Sequence, residues 1–376
     1  MAGVYIVSDN ILSPIGTTTA ENFRQIRKGI SGVLKHHNIN IADQPFYASL
    51  FNDNSFIADH QHKYTKFEQL LIASIIDALK DGNVDAGDKK TALIISSTKG
   101  NISLLETEHN TPALQKRIAL TTSAKLVAGH FGFVSQPIVI SNACISGIMG
   151  IVMGMRLIQS GQYQNVVVAG ADVISKFILS GFQSFQAISP TPCKPFDVNR
   201  DGISLGEGAA TVILSAKQNN GTDIKVMGGA VSNDANHISA PSRTGMELSG
   251  AINKTLKQAS LTATDIDFIS AHGTATVYND EMEARAITLS GLQNTPLNSL
   301  KGYYGHTLGA AGLIESIIAM QSLKEGVVIP TLGFSNIGVS TPVNVCEELL
   351  SGEYKNCLKT ASGFGGCNAA VVFGKA

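Results

Sequence analysis

The stretch PIVISNACISGIMGIVMGMRLIQSG, residues 137–161, runs from one buried element straight into another. Pro137 to Ile140 reads as a short strand with no polar face. Ile145 to Gln159 is apolar almost all round, with Arg156 as its one charge. That pattern predicts a helix covered on every side and closed by Gly161. Gly147, Gly150 and Gly154 let its back approach neighbours closely. Cys144 falls at the junction. Similar apolar runs flank this stretch at Val4–Val7, Ala92–Ile95, Val166–Val168 and Thr211–Leu214, with a helical pattern over Phe67–Leu79. Strands of nearly continuous Val and Ile separated by helices predict an α/β fold with a sheet covered on both faces.

The second half repeats the plan. A helix over Ala251–Ala259 and a strand over Asp267–Ser270 lead to a small-residue turn, His272-Gly273-Thr274. This mirrors the Phe67 helix, the Ala92 strand and the turn at Thr98-Lys99-Gly100. The glycine-rich segment at Gly305 opens an apolar helix, Leu313–Leu323, much as Cys144 opens its own. The polar run Lys217-Gln218-Asn219-Asn220-Gly221 marks the boundary, dividing the chain into 1–218 and 219–376.

Composition excludes several functions. Only 15% of the 376 residues are charged, against about 25% in an ordinary soluble domain. Hydrophobic residues make up 44% and the formal net charge is -1, so disorder is excluded and a large core is predicted. No basic stripe is visible, so nucleic-acid binding has no electrostatic footprint. The N-terminus does not read as a signal peptide, and no apolar run reaches the roughly 20 residues of a membrane span. Five cysteines without a CxxC spacing suggest neither a disulfide framework nor a zinc ribbon, and point to a reducing cytoplasm.

Three segments carry chemistry. Cys144 lies where a strand ends and a helix begins, so free N–H groups and the positive end of the helix dipole face its sulfur. That setting is expected to lower the thiol pKa and favour the thiolate. His272 ends a strand in an open turn, followed by Thr274, Thr276 and Asp280. Lys301 and His306 precede the second buried helix, and Glu315 is placed more than two turns inside it. A carboxylate there needs a partner, for which Lys301 or a backbone N–H would serve. Each feature alone has a simpler reading: a core cysteine, a histidine bound to a carbonyl, a glycine-rich turn. Together they put one thiol and two imidazoles at strand ends, where open α/β sheets bind ligands. A thiolate with two imidazole donors suits covalent acyl transfer followed by stabilisation of an enolate.

These motifs, in this order, resemble the β-ketoacyl synthases with a Cys-His-His centre, of the thiolase-like superfamily. Ser13-Pro14-Ile15-Gly16, Pro195-Phe196-Asp197, Gly206-Glu207-Gly208-Ala209-Ala210 and the C-terminal Gly363-Phe364-Gly365-Gly366 extend the likeness along nearly the whole chain. The resemblance implies two pseudo-symmetric βαβαβαββ halves stacked in five α-β-α-β-α layers. It implies an acyltransferase that condenses an acyl group on Cys144 with malonyl-acyl carrier protein, releasing CO2. The substrates' 4'-phosphopantetheine arm comes with the acyl carrier protein, and no tightly bound cofactor or metal is implied. Cys144 would be the nucleophile, and the backbone N–H groups of Cys144 and Phe364 the oxyanion hole, where a donor is worth roughly 3 to 4 kcal/mol. His272 and His306 would hold the thioester oxygen, each needing a fixed partner for its other ring nitrogen. Lys301 would orient and tune the site, with Glu315 and Asp280 in support. Thr274 and Thr276 would bond the pantetheine, and Phe364 would gate the acyl pocket. A homodimer, or a heterodimer with a related subunit, would pair through the strand leading to Cys144.

The chain departs from the family pattern in three places. Ser96-Ser97-Thr98-Lys99-Gly100 stands where a glycine-rich loop is common. Val277-Tyr278-Asn279 replaces a Pro-x-Gly before Asp280, and Thr360-Ala361-Ser362 replaces an Asn-Ser-Phe. These leave the trio intact and open a specialised polyketide, polyene or aryl-lipid pathway beside fatty-acid synthesis. The alternatives are a silent, chain-length-factor-like partner subunit, which the presence of Cys144 disfavours, and a cysteine thioester hydrolase. The other four cysteines and His36, His37, His60, His62, His109, His130 and His237 are read as structural, and His60-Gln61-His62 has no second cluster to complete a metal site.

Overall fold

A computed structural model describes residues 3–52, 63–218, 224–236 and 238–376. His60, His62, His237 and the end of the proposed boundary, Asn219 to Gly221, lie outside the described residues. Ten strands and seven helices build the frame. The first half runs β1 (Tyr5–Leu12), α1 (Lys66–Gly82), β2 (Thr91–Ser96), α2 (Leu120–Phe131), β3 (Ile138–Ile140), α3 (Ser146–Gln159), β4 (Asn165–Asp172) and β5 (Gly208–Ser215), with α4 (Lys176–Ser184) inserted before β5. The second runs β6 (Ile224–Asn233), α5 (Met246–Ala259), β7 (Phe268–Ser270), α6 (Val277–Leu289), β8 (Leu297–Asn298), α7 (Ala311–Glu325), β9 (Asn356–Gly363) and β10 (Cys367–Lys375). Both halves read βαβαβαββ.

Strand order is β3-β2-β4-β5-β1 in the first half and β8-β7-β9-β10-β6 in the second. The pairing repeats as well. β2 lies parallel to β3 and β4, and β5 antiparallel to β4 and β1; β7 lies parallel to β8 and β9, and β10 antiparallel to β9 and β6. The halves join edge to edge where Tyr5 of β1 meets Lys225 of β6. Equivalent elements are therefore related as the sequence repeat predicts, without sequence identity.

Helices α3 and α7 lie between the two halves. α3 packs on β2, β4 and β5 of its own half and on β6 and β10 of the other; α7 packs on β7, β9 and β10 and on β1 and β5. α1 covers the outer face of the first sheet and α5 that of the second. This is the five-layered, thiolase-like arrangement. It explains why α3 and α7 are apolar all round, whereas α1 and α5 carry one polar face. The core side chains of α3, including Ile148, Ile151, Val152 and Met155, are buried with Val166, Val168, Leu313 and Ile317. Glycines permit the contact: a Cβ on Gly150 would lie 2.7 Å from Val168, and one on Gly154 2.6 Å from Leu214.

Candidate active site

Cys144 sits between β3 and α3, two residues before the helix begins at Ser146. Ala143 before it has a φ of 44°, in the left-handed region that few non-glycine residues adopt. Ser146 secures the turn: its hydroxyl donates to Ala143 O at 2.7 Å and accepts from Asn142 N at 2.8 Å. α3 and α7 meet end to end at two glycines. A Cβ on Gly147 would lie 2.8 Å from Leu313 N, and one on Gly312 2.9 Å from Ile148 N. This backbone-on-backbone crossing brings Cys144 Sγ within 3.0 Å of His306 Nε2.

The thiol differs from the sequence expectation. Burial pushes the Cys144 thiol up to about 12, and the nearby Cys367 and Asp172 add to the rise; Lys301 and Lys99 oppose it. The helix terminus does not dominate, because the sulfur has lost its water. The resting pair is thus a thiol beside a neutral imidazole.

His306 follows Gly305, whose φ is 65°. The His306 amide donates to Ser204 O at 2.7 Å, and its carbonyl accepts from Gly206 N at 3.0 Å. Leu308 N donates to His306 Nδ1 at 3.2 Å, so the ring proton resides on Nε2, facing the sulfur. Burial holds the ring well below the ordinary histidine range, with Lys301 and Lys359 adding to the effect. His272 lies edge-on to it, ring centroids 5.3 Å apart. Its pKa is likewise depressed, by burial and then by Lys301, His306 and Lys359. Its Nδ1 is buried with no partner among the described residues, so the fixed partner expected for both rings is found only for His306.

The backbone of His272 is clamped instead. Its N–H donates to Glu283 Oε1 at 2.8 Å, and Gly273 N donates to Glu283 Oε2 at 2.7 Å. Lys301 Nζ donates to His272 O at 3.0 Å and pairs with Glu315. Glu315 is the fifth residue of α7, just over one turn in, because the helix starts at Ala311 and a short 3-10 turn precedes it. Its partners are both Lys301 and Lys359, the latter at 2.9 Å. Lys301 does not line the cavity and lies behind His272, against its backbone. Asp280 also sits behind the wall, accepting from Phe196 N at 2.8 Å, Thr274 N at 2.9 Å and Ala275 N at 3.1 Å. Phe196 and Ala275 both have positive φ, so the carboxylate holds two strained turns. Burial raises the Asp280 carboxyl to about 6.

A cavity of about 330 Å³ is lined by Cys144, His272, His306, Thr274, Thr276 and Phe364. Tyr278, Phe182 and Phe185 also face it. The Thr274 and Thr276 hydroxyls lie 3.0 Å apart. Phe364 lies tilted against Phe182 and edge-on to Phe185, with centroids at 5.7 and 5.3 Å. It tops the β9–β10 turn, where Gly365 and Gly366 have φ of 83° and 76°. The neighbouring Gly363 presses on the Cys144 amide, since a Cβ there would lie 2.9 Å from Cys144 N. The Cys144 sulfur and one nitrogen of each histidine lie within 4.8 Å of one another. This set suits acyl transfer, and a thiophilic ion such as zinc could occupy it too.

Three buried residues escaped the sequence reading. Glu283 stands one turn after Asp280 on α6, and that spacing was a usable signal. Asp172 ends the apolar run of β4. It accepts from Ser97 Oγ and Gly309 N, both at 2.7 Å, tying the loop after β2 to the approach to α7. Lys359 interrupts β9, a strand of otherwise small and apolar residues. Among the histidines read as structural, His36 Nε2 bonds Ala48 O and His130 Nδ1 bonds the Tyr64 hydroxyl.

Two family models match in tandem, Beta-ketoacyl synthase, N-terminal domain over residues 1–220 and C-terminal domain over 224–335. The chain is 29% identical to a 3-oxoacyl-[acyl-carrier-protein] synthase 2 of Vibrio cholerae, over 98% of each chain. It is 28% identical to the enzyme of that name from Staphylococcus aureus, over 99% of this chain and 98% of the other. Among solved structures, a ketosynthase in complex with its chain length factor from Xenorhabdus doucetiae superposes with TM-score 0.89 at 25% identity, covering 100% of this chain and 98% of that one. The ishigamide ketosynthase/chain length factor gives 0.90 at 25% identity, covering 100% and 99%. With matching domains spanning both halves and a shared fold throughout, the chain belongs to the β-ketoacyl synthase family of acyltransferase-class condensing enzymes.

Proposed function

We propose that Cys144 carries the acyl chain and that His272 and His306 drive decarboxylation of malonyl-acyl carrier protein in the cavity they share. The supporting observation is the convergence of one sulfur and two imidazole nitrogens within 4.8 Å, with the His306 proton fixed on Nε2. The Cys144 sulfur attacks the thioester carbonyl of an acyl-pantetheine. The oxyanion is received by the Cys144 and Phe364 amides, the pantetheine C–S bond breaks, and the proton lost by Cys144 leaves with the pantetheine thiol. Because one thioester replaces another, the step is close to balanced in energy.

Malonyl-carrier then enters with its thioester oxygen between the two imidazoles. Its bond to the carboxylate breaks, CO2 leaves, and the electron pair is held as an enolate. Neutral N–H donors suit that oxygen, since an imidazolium would surrender its proton and quench the carbanion. The carbanion attacks the acyl-Cys144 carbonyl, the C–S bond breaks, and 3-oxoacyl-carrier departs. Thr274 and Thr276 line the path of the pantetheine arm, and Phe364, against Phe182 and Phe185, gates the acyl chain. Residues 1–218 then supply the nucleophile and 219–376 both histidines.

Cys144 in contact with His306 supports an elongating subunit over a silent partner, and His306 Nδ1, which accepts from Leu308 N in place of an orienting Asn or Asp, disfavours a hydrolase. β3 pairs with β2 on one side only, which leaves an edge for a second copy or a related subunit such as the chain length factors of the two solved relatives. A cytoplasmic setting is supported by five free cysteines; among the described residues no helix is long and apolar enough to cross a membrane. The test is intact-mass analysis after incubation with acyl-carriers of graded length, alongside CO2 release from malonyl-carrier. A single adduct on Cys144, lost in Cys144→Ala, is expected; an adduct elsewhere overturns the assignment. His306→Ala should stop CO2 release while Cys144 still acylates.

A further inference from the structure

Lys359 lies in the middle of β9 and is fully buried. Its ammonium is surrounded by oxygen: Thr360 O at 2.7 Å, Ser270 O and Ala271 O each at 3.1 Å, and Glu315 Oε2 at 2.9 Å. Three carbonyls and a carboxylate around one positive centre form a ligand set for a monovalent cation, not the geometry of an ordinary ion pair. The carbonyls of Ser270 and Ala271 belong to the end of β7, immediately before His272. The next carbonyl, that of His272, is taken by Lys301, and Glu315 bridges the two ammoniums. From the other side, Glu283 accepts from the amides of His272 and Gly273 and from the Thr360 hydroxyl, the last at 2.6 Å. Two buried positive charges thus face two buried carboxylates, and between them they hold the carbonyls of Ser270, Ala271 and His272 and the amides of His272 and Gly273.

We propose that Lys359 is a positioning residue whose ammonium acts as a built-in monovalent cation, filling the oxygen cage of Ser270, Ala271, Thr360 and Glu315 and thereby fixing the strand end that presents His272. This rests on the reading of His272 as a donor to the malonyl thioester. Removing the ammonium leaves three carbonyls facing a carboxylate whose one remaining counter-charge, Lys301, sits on its other oxygen, and the strand end must move or a cation must enter. The lysine stem runs from β9 to Glu315 of α7 and is fully buried, so truncation to alanine vacates the place of the ammonium.

The test compares Lys359→Ala and Lys359→Met with the unaltered enzyme in buffers containing potassium, ammonium or methylammonium, and in buffers containing only choline. In choline, Lys359→Ala should release CO2 from malonyl-carrier on the order of 10- to 100-fold more slowly, as expected for a misaimed catalytic group. Cys144 acylation should change by no more than about threefold, because the sulfur and the His306 turn are held by other contacts. Potassium, ammonium or methylammonium should restore decarboxylation and raise the Tm of Lys359→Ala, and do neither in the unaltered enzyme. Lys359→Met, which fills the same space without charge, should be slow in every buffer. The proposal is overturned if Lys359→Ala decarboxylates at the normal rate in choline, if its loss is not relieved by any small cation, or if both variants are unfolded in all buffers. If His272→Ala decarboxylates normally, the reading of His272 fails, while the cation dependence of the Lys359→Ala Tm still decides whether the cage is a cation site.

Discussion

Gly312→Ala should push the two central helices apart and slow the reaction at the site. A Cβ at this position would lie 2.9 Å from both Ile148 N and Ile148 Cγ1. The side-chain atom can rotate away; the backbone nitrogen cannot. Contact distances for such atoms are about 3.5 Å or more, so α7 must retreat from α3 by roughly half an ångström. That shift falls on the pair joining Cys144 Sγ to His306 Nε2, now 3.0 Å apart. Overpacking of this kind costs about 1–3 kcal/mol, against roughly 1 kcal/mol gained when alanine replaces glycine in an unobstructed helix. The net is a loss of up to about 2 kcal/mol and a Tm lower by as much as a few degrees. Condensation should fall about tenfold, since a misplacement of 1 Å can cost about 100-fold. Gly250, exposed on α5 with no atom within 4 Å of a would-be Cβ, is the control. Gly250→Ala should raise the Tm and leave turnover unchanged. Thermal unfolding and steady-state condensation on the two variants measure both signs. A Gly312→Ala enzyme as stable and as active as the unaltered one would show that the glycine crossing does not set the distance between the two halves of the site.

Further outcomes follow from the same geometry. With the Cys144 thiol near 12, its thiolate fraction rises about tenfold per pH unit across the neutral range, so alkylation by iodoacetamide, followed by intact mass, should accelerate from pH 7 to 9 without a plateau; a plateau below pH 8 would mean that the helix terminus outweighs burial. Asp280→Asn keeps one acceptor oxygen and turns its N–H donors toward either the Thr274 amide or the Phe196 and Ala275 amides, which should cost about 1–3 kcal/mol of stability and raise KM for acyl-carrier more than it lowers kcat. An unchanged Tm would remove Asp280 from its anchoring place. Zinc should inhibit by binding Cys144, His272 and His306 together, more strongly at higher pH because the thiol must lose its proton; addition of a chelator should reverse the inhibition, and zinc retained equally by Cys144→Ala would contradict it.

Much of this was legible in the chain itself. Local pattern is enough for a buried strand or a helix apolar on every side, so the elements around residues 137–161 and 305–323 were readable, as was their repetition in two halves. Motif order singled out Cys144, His272 and His306, which the fold brings together, because strand-to-helix turns that carry a thiol or an imidazole leave a local trace. What the sequence could not carry was anything that depends on distance between segments. The state of the thiol is one example: a helix N-terminus is a local feature, but the water excluded from Cys144 is removed by the opposite half and by the Gly363 turn. The depth of Glu315 is another, since an extra 3-10 turn delays the start of α7. Lys359 and Glu283 are the clearest, being a lysine and a glutamate of ordinary appearance until β7, β9, α6 and α7 converge behind one imidazole. Periodicity and junctions are properties of neighbouring residues, and one strand of sequence determines them. Desolvation and charge pairing belong to residues that meet only when the two sheets close on α3 and α7, and those the tertiary structure alone decided.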